Sequence, residues 1–167
     1  AAEMLDCEHA TVLVSDDVSL PKDHSTGRRG VAGTLIVEKI VGAAAERGNT
    51  LAECKAVGDK VNNATASIGM ALTSCTVPAL GQATFDLEEN EIEMGVGIHG
   101  ERGHETLDFV NATKIVEHLA NTIDDDLKPK KGQKATYFRQ IAPESGGGDA
   151  GFFGPSGVES TGGAGFG

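Results

Sequence analysis

Residues 91–105 read "EIEMGVGIHGERGHE", and their apolar side chains alternate at period two through Ile92, Met94, Val96 and Ile98. That period marks a strand over 91–98 with one face on a core, whereas the segments on either side repeat at three or four residues, as helices do. A strand set among helices predicts an α/β fold. If the extended form continues one residue further, His99 shares a face with Gly97 and Gly95, and that face is empty in front of the imidazole. Glycine weakens a strand and is found where a ligand or another backbone approaches closely. Two readings fit: a ligand rests against the strand end in contact with His99, or "IHGERG" is a turn carrying an exposed histidine.

Upstream, "VAGTLIVEKIVGAAAE" places Val31, Leu35, Ile40 and Ala44 at helical intervals with few polar positions, which predicts a mostly buried helix over 31–46, stopped by Gly48. Thr50 with Glu53 forms a capping-box signature. Leu51, Cys54, Val57, Val61, Ala64, Ile68 and Leu72 then predict an amphipathic helix over 51–73. Further back, "HATVLV" (9–14) reads as a buried strand followed by the loop "SDDVSLPKDHSTGRRG". Downstream of His99, residues 108–123 read as a third helix with Val110, Ile115, Leu119 and Ile123 on one side, and "KATYF" (134–138) as the start of another strand. The final 24 residues hold ten glycines. They cannot bury enough apolar surface to offset ordering entropy, so the reading is one domain over 1–142 and a disordered tail over 143–167.

A net charge of −11 and a sequence pI near 4.8 argue against nucleic acid or an anionic membrane as partner. Cys7, Cys54 and Cys75 are odd in number and widely spaced, which indicates neither a disulfide framework nor a zinc site and suits a reducing cytoplasm. No apolar run approaches the roughly 20 residues that span a bilayer. The amino end "AAEMLDCEHA" has no leader pattern, and it starts without methionine in what reads as the last turn of a helix, so a preceding segment is expected.

Two further clusters compete for a functional role. His99, Glu101, His104 and Glu105 carry zinc-ligand chemistry, but Gly100 and Gly103 disfavour the helix that would set such ligands on one face, and no metal is expected. In "TGRRGVAGT" (26–34) a glycine-rich turn opens a helix and could offer N–H groups to a phosphate. It lacks the Walker Lys-Ser/Thr pair and the dinucleotide fingerprint. The preferred reading is close helix packing, with Arg28 and Arg29 answering Asp16 and Asp17.

Three blocks in order, "TGRRGVAGTLIVEKIVGAAAERG", "KVNNATASIGMALTSCTVPALG" and "NEIEMGVGIHGERG", resemble the dihydroxyacetone-binding subunit of dihydroxyacetone (glycerone) kinases over roughly residues 9–127. The wording, in particular "VGAAAERG" and "GVGIHGE", is closer to the bacterial form that works with the phosphoenolpyruvate phosphotransferase system than to the ATP-using form. The resemblance implies an incomplete portion of a fold that pairs two α/β subdomains and forms a homodimer in the cytoplasm. It implies that His99 attaches covalently to the carbonyl carbon of dihydroxyacetone as a hemiaminal, with Gly97 at the substrate. Neutral imidazole suits such a step, since an ordinary pKa near 6.5 leaves a free lone pair at neutral pH. The implied reaction is phosphoryl transfer to dihydroxyacetone phosphate in glycerol metabolism, the covalent bond fixing the substrate hydroxyl for transfer. This chain is then expected to bind no cofactor itself. ADP/Mg or ATP/Mg would sit on a nucleotide-bearing phosphoryl-donor subunit or another domain.

Departures from the family are also legible. Its "GSGHEP" segment, and the aspartate proposed to activate the substrate hydroxyl, have no counterpart. Arg102 stands where the family usually has proline, a swap expected to loosen the turn and add charge. Beyond "KKGQKA" the family's apolar strand gives way to "TYFRQIAPESGGG". Little or no kinase turnover is therefore expected of this chain alone. Relatives that sense dihydroxyacetone and regulate transcription, or an inactive fragment, are the alternatives.

Overall fold

The computed structural model describes residues 7–74, 76, 78–79, 81–108, 111–130 and 132–137. Residues 1–127 form one compact unit and 128–167 another. In the first unit helix α1 (Ala32–Glu46) packs along helix α2 (Leu51–Asn63). Val37 and Ala44 of α1 and Cys54 of α2 are buried. Gly58 of α2 makes room for Val12 and Val41: a β-carbon there would lie 2.7 Å from the Val12 methyl and 3.2 Å from that of Val41. The capping box forms as the sequence predicts, with the Glu53 backbone N–H donating to Thr50 Oγ1 (3.3 Å) and the Thr50 N–H to Glu53 Oε2 (2.8 Å).

The second helix ends ten residues before the periodicity does. Asn62 and Thr65 are the reason, because their side chains compete for backbone partners. The Ser15 N–H donates to Asn62 Oδ1 (3.0 Å), Asn62 Nδ2 to the Leu13 carbonyl (2.9 Å), and Thr65 Oγ1 to the Val61 carbonyl (2.8 Å). The chain then extends: Ser67 bridges Asp17 in parallel, and Met70–Ala71 form strand β1. The expected strand over 9–14 is likewise absent. Its backbone is met by the Asn62 side chain instead of a ladder, and Leu13 faces solvent.

Strand β2 (Glu91–Met94) lies in the middle of an antiparallel sheet, between β1 and β3 (Glu105–Asp108). Met70 pairs with Met94 and Ala71 with Glu93 on one side; Ile92 pairs with Leu107, Glu93 with Thr106 and Met94 with Glu105 on the other. Ile92 and Met94 are 2% exposed, and Glu93 between them only 1%, so both faces of β2 are covered, not one. Glu93 tolerates this because Thr106 Oγ1 (2.6 Å) and Arg102 Nε (3.1 Å) donate to its carboxylate.

Helix α3 runs over Ala112–Leu127 in place of the expected 108–123. Asn111 sets its start, with Oδ1 accepting from the Lys114 N–H at 3.1 Å. At the other end acidic residues oppose the helix dipole. Asp126 is nevertheless held by both Arg28 nitrogens, Nη2 at 2.7 Å and Nη1 at 3.0 Å, with Lys22 at 3.4 Å. Among the described residues of the second unit, Lys130 and Gln133 close a turn through Gly132 (φ +83°), and Tyr137 takes part in a β-bridge without a strand over 134–136. The tail over 143–167 and Phe138 lie outside the described residues. Among those described, no helix is long and apolar enough to cross a membrane.

Two consequences can be measured. Asp16 is buried and accepts from the Val31 N–H (2.8 Å), the Gly33 N–H (2.7 Å) and the Ser67 hydroxyl. Asp16→Ala should cost about 3 kcal/mol, the loss of hydrogen bonds to a charged acceptor, read as a lower urea midpoint at unchanged slope. The Arg28 hydrogen bonds, then its charge, hold the Asp126 carboxyl below its ordinary value against the opposing effect of burial. A depressed folded pKa gives stability that is present above the unfolded value of about 3.9 and lost as pH falls through the folded one. The acid limb of unfolding should therefore flatten in Asp126→Asn, with little change in pH dependence near neutrality.

Candidate functional site

The connection from β2 to β3 carries the histidine. Gly95 adopts φ +78°, a conformation that ends the strand, and its N–H makes one last bond to the Gly69 carbonyl at 2.7 Å. Pairing resumes when the His104 N–H donates to the Met94 carbonyl at 3.1 Å. Between them the chain turns at Ile98–His99, and the Gly97 N–H donates to the Glu101 carbonyl at 3.1 Å. At Gly103 a β-carbon would collide with the Met94 carbonyl, so only glycine fits this crossing.

The strand thus stops four residues short of Ile98, and the shared face of Gly95, Gly97 and His99 does not form. The physical reason is the positive φ of Gly95, which turns the following residues out of the sheet. Its near side is occupied by the His104 ring and the Ser19 side chain. The space at Gly97 is filled from within the protein: a β-carbon there would fall on the Glu101 carboxylate and lie 2.9 Å from Arg29 Nη1. Gly97 admits that carboxylate beneath the loop.

Glu101 contacts His99 twice. Its Oε2 accepts the His99 backbone N–H at 2.8 Å, and Oε1 lies 3.2 Å from the ring Nδ1. The Glu101 carboxyl is held below its ordinary value chiefly by its own backbone N–H, against the raising effect of burial, with lesser help from the backbone and ring of His99. The His99 side chain is 80% exposed. The site is therefore a solvent-facing imidazole on a short loop, with an ionised carboxylate behind it.

Arg29 underpins the loop. Its Nε donates to Asp17 Oδ2 (2.6 Å), and its Nη2 to Ser19 Oγ (3.1 Å) and to the Gly95 carbonyl (2.7 Å). Asp17 is buried and also accepts the Ser19 N–H at 3.0 Å. The expected pairing of two arginines with two aspartates holds for Arg29 and Asp17 only. Arg28 goes to Asp126, and Asp16 closes the start of α1 through the Val31 and Gly33 N–H groups. Those are the groups a phosphate would use, so the protein's own carboxylate fills the anion position in "TGRRGVAGT".

His99 and Glu101 come together as a pair, whereas His104 packs on Gly95 and Glu105 lies on β3. Among the described residues no three His, Cys, Asp or Glu side chains gather as a metal site would require. Arg102 turns its charge to buried Glu93. Sequence reasoning named Glu101 only as a metal ligand and missed Arg29 and Ser19 as loop supports. The spacing His-Gly-Glu was the available signal for Glu101, since a flexible residue between them lets the carboxylate fold back on the preceding main chain.

Comparison with known proteins places this geometry. Residues 1–139 match the Dak1 domain family. The chain is 48% identical over 114 residues to the dihydroxyacetone-binding subunit DhaK of the PEP-dependent dihydroxyacetone kinase of Escherichia coli, covering 68% of this chain and 32% of that protein. It is 41% identical over 138 residues to the corresponding subunit of a PTS-dependent kinase of Listeria innocua, covering 80% and 42%. Among solved structures, the dihydroxyacetone kinase of C. freundii superposes with a TM-score of 0.68 at 33% identity, covering 81% of this chain and 24% of that one. The dihydroxyacetone kinase operon co-activator Dha-DhaQ gives 0.69 at 27% identity, covering 76% and 39%. The chain spans a third to two fifths of the length of these two bacterial relatives, and its α/β arrangement is part of the fold they share. With the match running from residue 1 to residue 139, the chain belongs to the Dak1 domain family.

Proposed function

We propose that this chain is the substrate-anchoring portion of a dihydroxyacetone kinase subunit, in which His99 adds to the carbonyl carbon of dihydroxyacetone to form a hemiaminal. The observation that carries the reading is an imidazole left 80% exposed at a loop tip while its backbone N–H is held by Glu101 and the start of its loop by Arg29. Kinship with subunits described as dihydroxyacetone-binding supplies the substrate class. A carbonyl compound can form the bond and glycerol cannot, so the anchor also selects. Gly97 serves this site by keeping Glu101 beneath His99, at the substrate end of the loop.

Phosphorylation of the anchored substrate would draw on groups outside this chain. The start of α1, its glycine-rich candidate for a phosphate, is closed by Asp16, which favours a nucleotide carried by a partner subunit. ADP with Mg, recharged through the phosphotransferase system, suits the PEP- and PTS-dependent relatives, and the subunit would work in the cytoplasm as a homodimer. A second reading has a specific observation in its favour: the likeness to the co-activator Dha-DhaQ suits a dihydroxyacetone sensor that passes no substrate on.

Carbon NMR of dihydroxyacetone labelled at its carbonyl tests the anchor. A protein-dependent tetrahedral carbon should form with the wild-type chain and vanish in His99→Ala; a folded wild-type sample without that signal would sink the proposal. Gly97→Ala forces the Glu101 carboxylate off its seat, an overpacking cost of roughly 1–3 kcal/mol. The fraction of anchored substrate should fall about tenfold, measured by the same signal at fixed substrate concentration.

A further inference from the structure

Resting on that anchoring role for His99, we infer that Glu101 is the positioning residue of the site: its carboxylate holds the His99 proton on Nδ1 and leaves Nε2 as the nucleophile. An ionised carboxylate only accepts hydrogen bonds, so the 3.2 Å contact between Oε1 and Nδ1 places the ring proton on Nδ1. In the neutral ring the lone pair is then on Nε2. The other carboxylate oxygen takes the His99 backbone N–H at 2.8 Å, so one side chain restrains both the ring and the main chain that carries it.

Glu101 is itself placed by its surroundings. A β-carbon at Gly97 would fall on its carboxylate and lie 2.9 Å from Arg29 Nη1, so the absence of a side chain there gives each of them room. Arg29 is tied to buried Asp17, to Ser19 and to the Gly95 carbonyl, and the Glu101 carbonyl accepts the Gly97 N–H at 3.1 Å. A side chain supported in this way keeps its neighbour's geometry without reaching the substrate.

The chemistry uses the same arrangement. The Nε2 lone pair forms a bond to the carbonyl carbon, and the C=O π pair moves to oxygen, which leaves an imidazolium and an alkoxide. The Nδ1 proton departs through Glu101 to water, and the alkoxide takes a proton from water. The product is a neutral hemiaminal, and nothing is oxidised or reduced. The carboxylate stands against the ring as its positive charge develops, where a fixed opposite charge helps most.

Nitrogen NMR of the His99 ring in the full chain, without ligand and at a pH about two units above the ordinary histidine value of 6.5, reads the tautomer directly. The wild type should show a protonated Nδ1 and a bare Nε2. Glu101→Ala should shift the ring toward the Nε2–H form that free histidine prefers. Glu101→Gln keeps the volume but can accept only one of the two bonds, so it should weaken the bias and carries the test should the alanine variant fail to fold. Formation of the tetrahedral carbon should slow by about tenfold to a hundredfold in the variants. Ring nitrogens unchanged in folded variants would overturn the role of Glu101, even if dihydroxyacetone still binds. The expected tautomer shift with no tetrahedral carbon in any sample would overturn the anchoring reading and leave the tautomer assignment standing.

Discussion

Two adjacent buried carboxylates, Asp16 and Asp17, hold the described core together, and the geometry around His99 depends on them. Removing an ion from water costs several kcal/mol unless partners replace the hydration. Asp16 is met by the Val31 and Gly33 amides and the Ser67 hydroxyl, Asp17 by Arg29 and the Ser19 amide. Asp17 sits in an extended bridge with Ser67, where neighbouring side chains point opposite ways. One carboxylate therefore locks the start of α1, and the other aims a guanidinium at the loop after β2. A strand-like segment too short to count as a strand thus joins a helix pair to a sheet.

This junction also limits what the chain can bind. A helix start that opens on glycines looks ready for phosphate, yet its Val31 and Gly33 N–H groups are taken by Asp16. Arg29, the other cation nearby, is committed to Asp17, Ser19 and the Gly95 carbonyl. What remains turned outward is His99, whose ring is a nucleophile when neutral.

The parts of this arrangement set by neighbours in sequence were readable, and those set by distant partners were not. The helix over 32–46 and the Thr50–Glu53 cap depend on residues within one or two turns of each other. The stretch after Asn63 misleads because Ala64, Ile68 and Leu72 continue the helical repeat while Ala66, Ile68, Met70 and Leu72 also alternate at period two. Long-range bonds from Asn62 and Ser67 decide between them. Alternation at period two carries no sign of the positive φ of Gly95, which ends the strand before Val96 and Ile98. His99 stood out by its glycines, but Arg29 reaches its loop across 66 positions, which no local pattern records.

Arg102 shows how the far end of such a loop can be fixed. It donates to Glu93, a carboxylate 1% exposed in the central strand, so the loop is tethered near its far end by an ion pair as Arg29 tethers its near end. The two ties differ in strength. Both carboxylates are buried, but Arg102 is 63% exposed and open to screening by salt, whereas Arg29 is 25% exposed. The side of the loop that seats Glu101 against Gly97 is therefore the firmly held one, and the side leading into β3 is the more loosely tied.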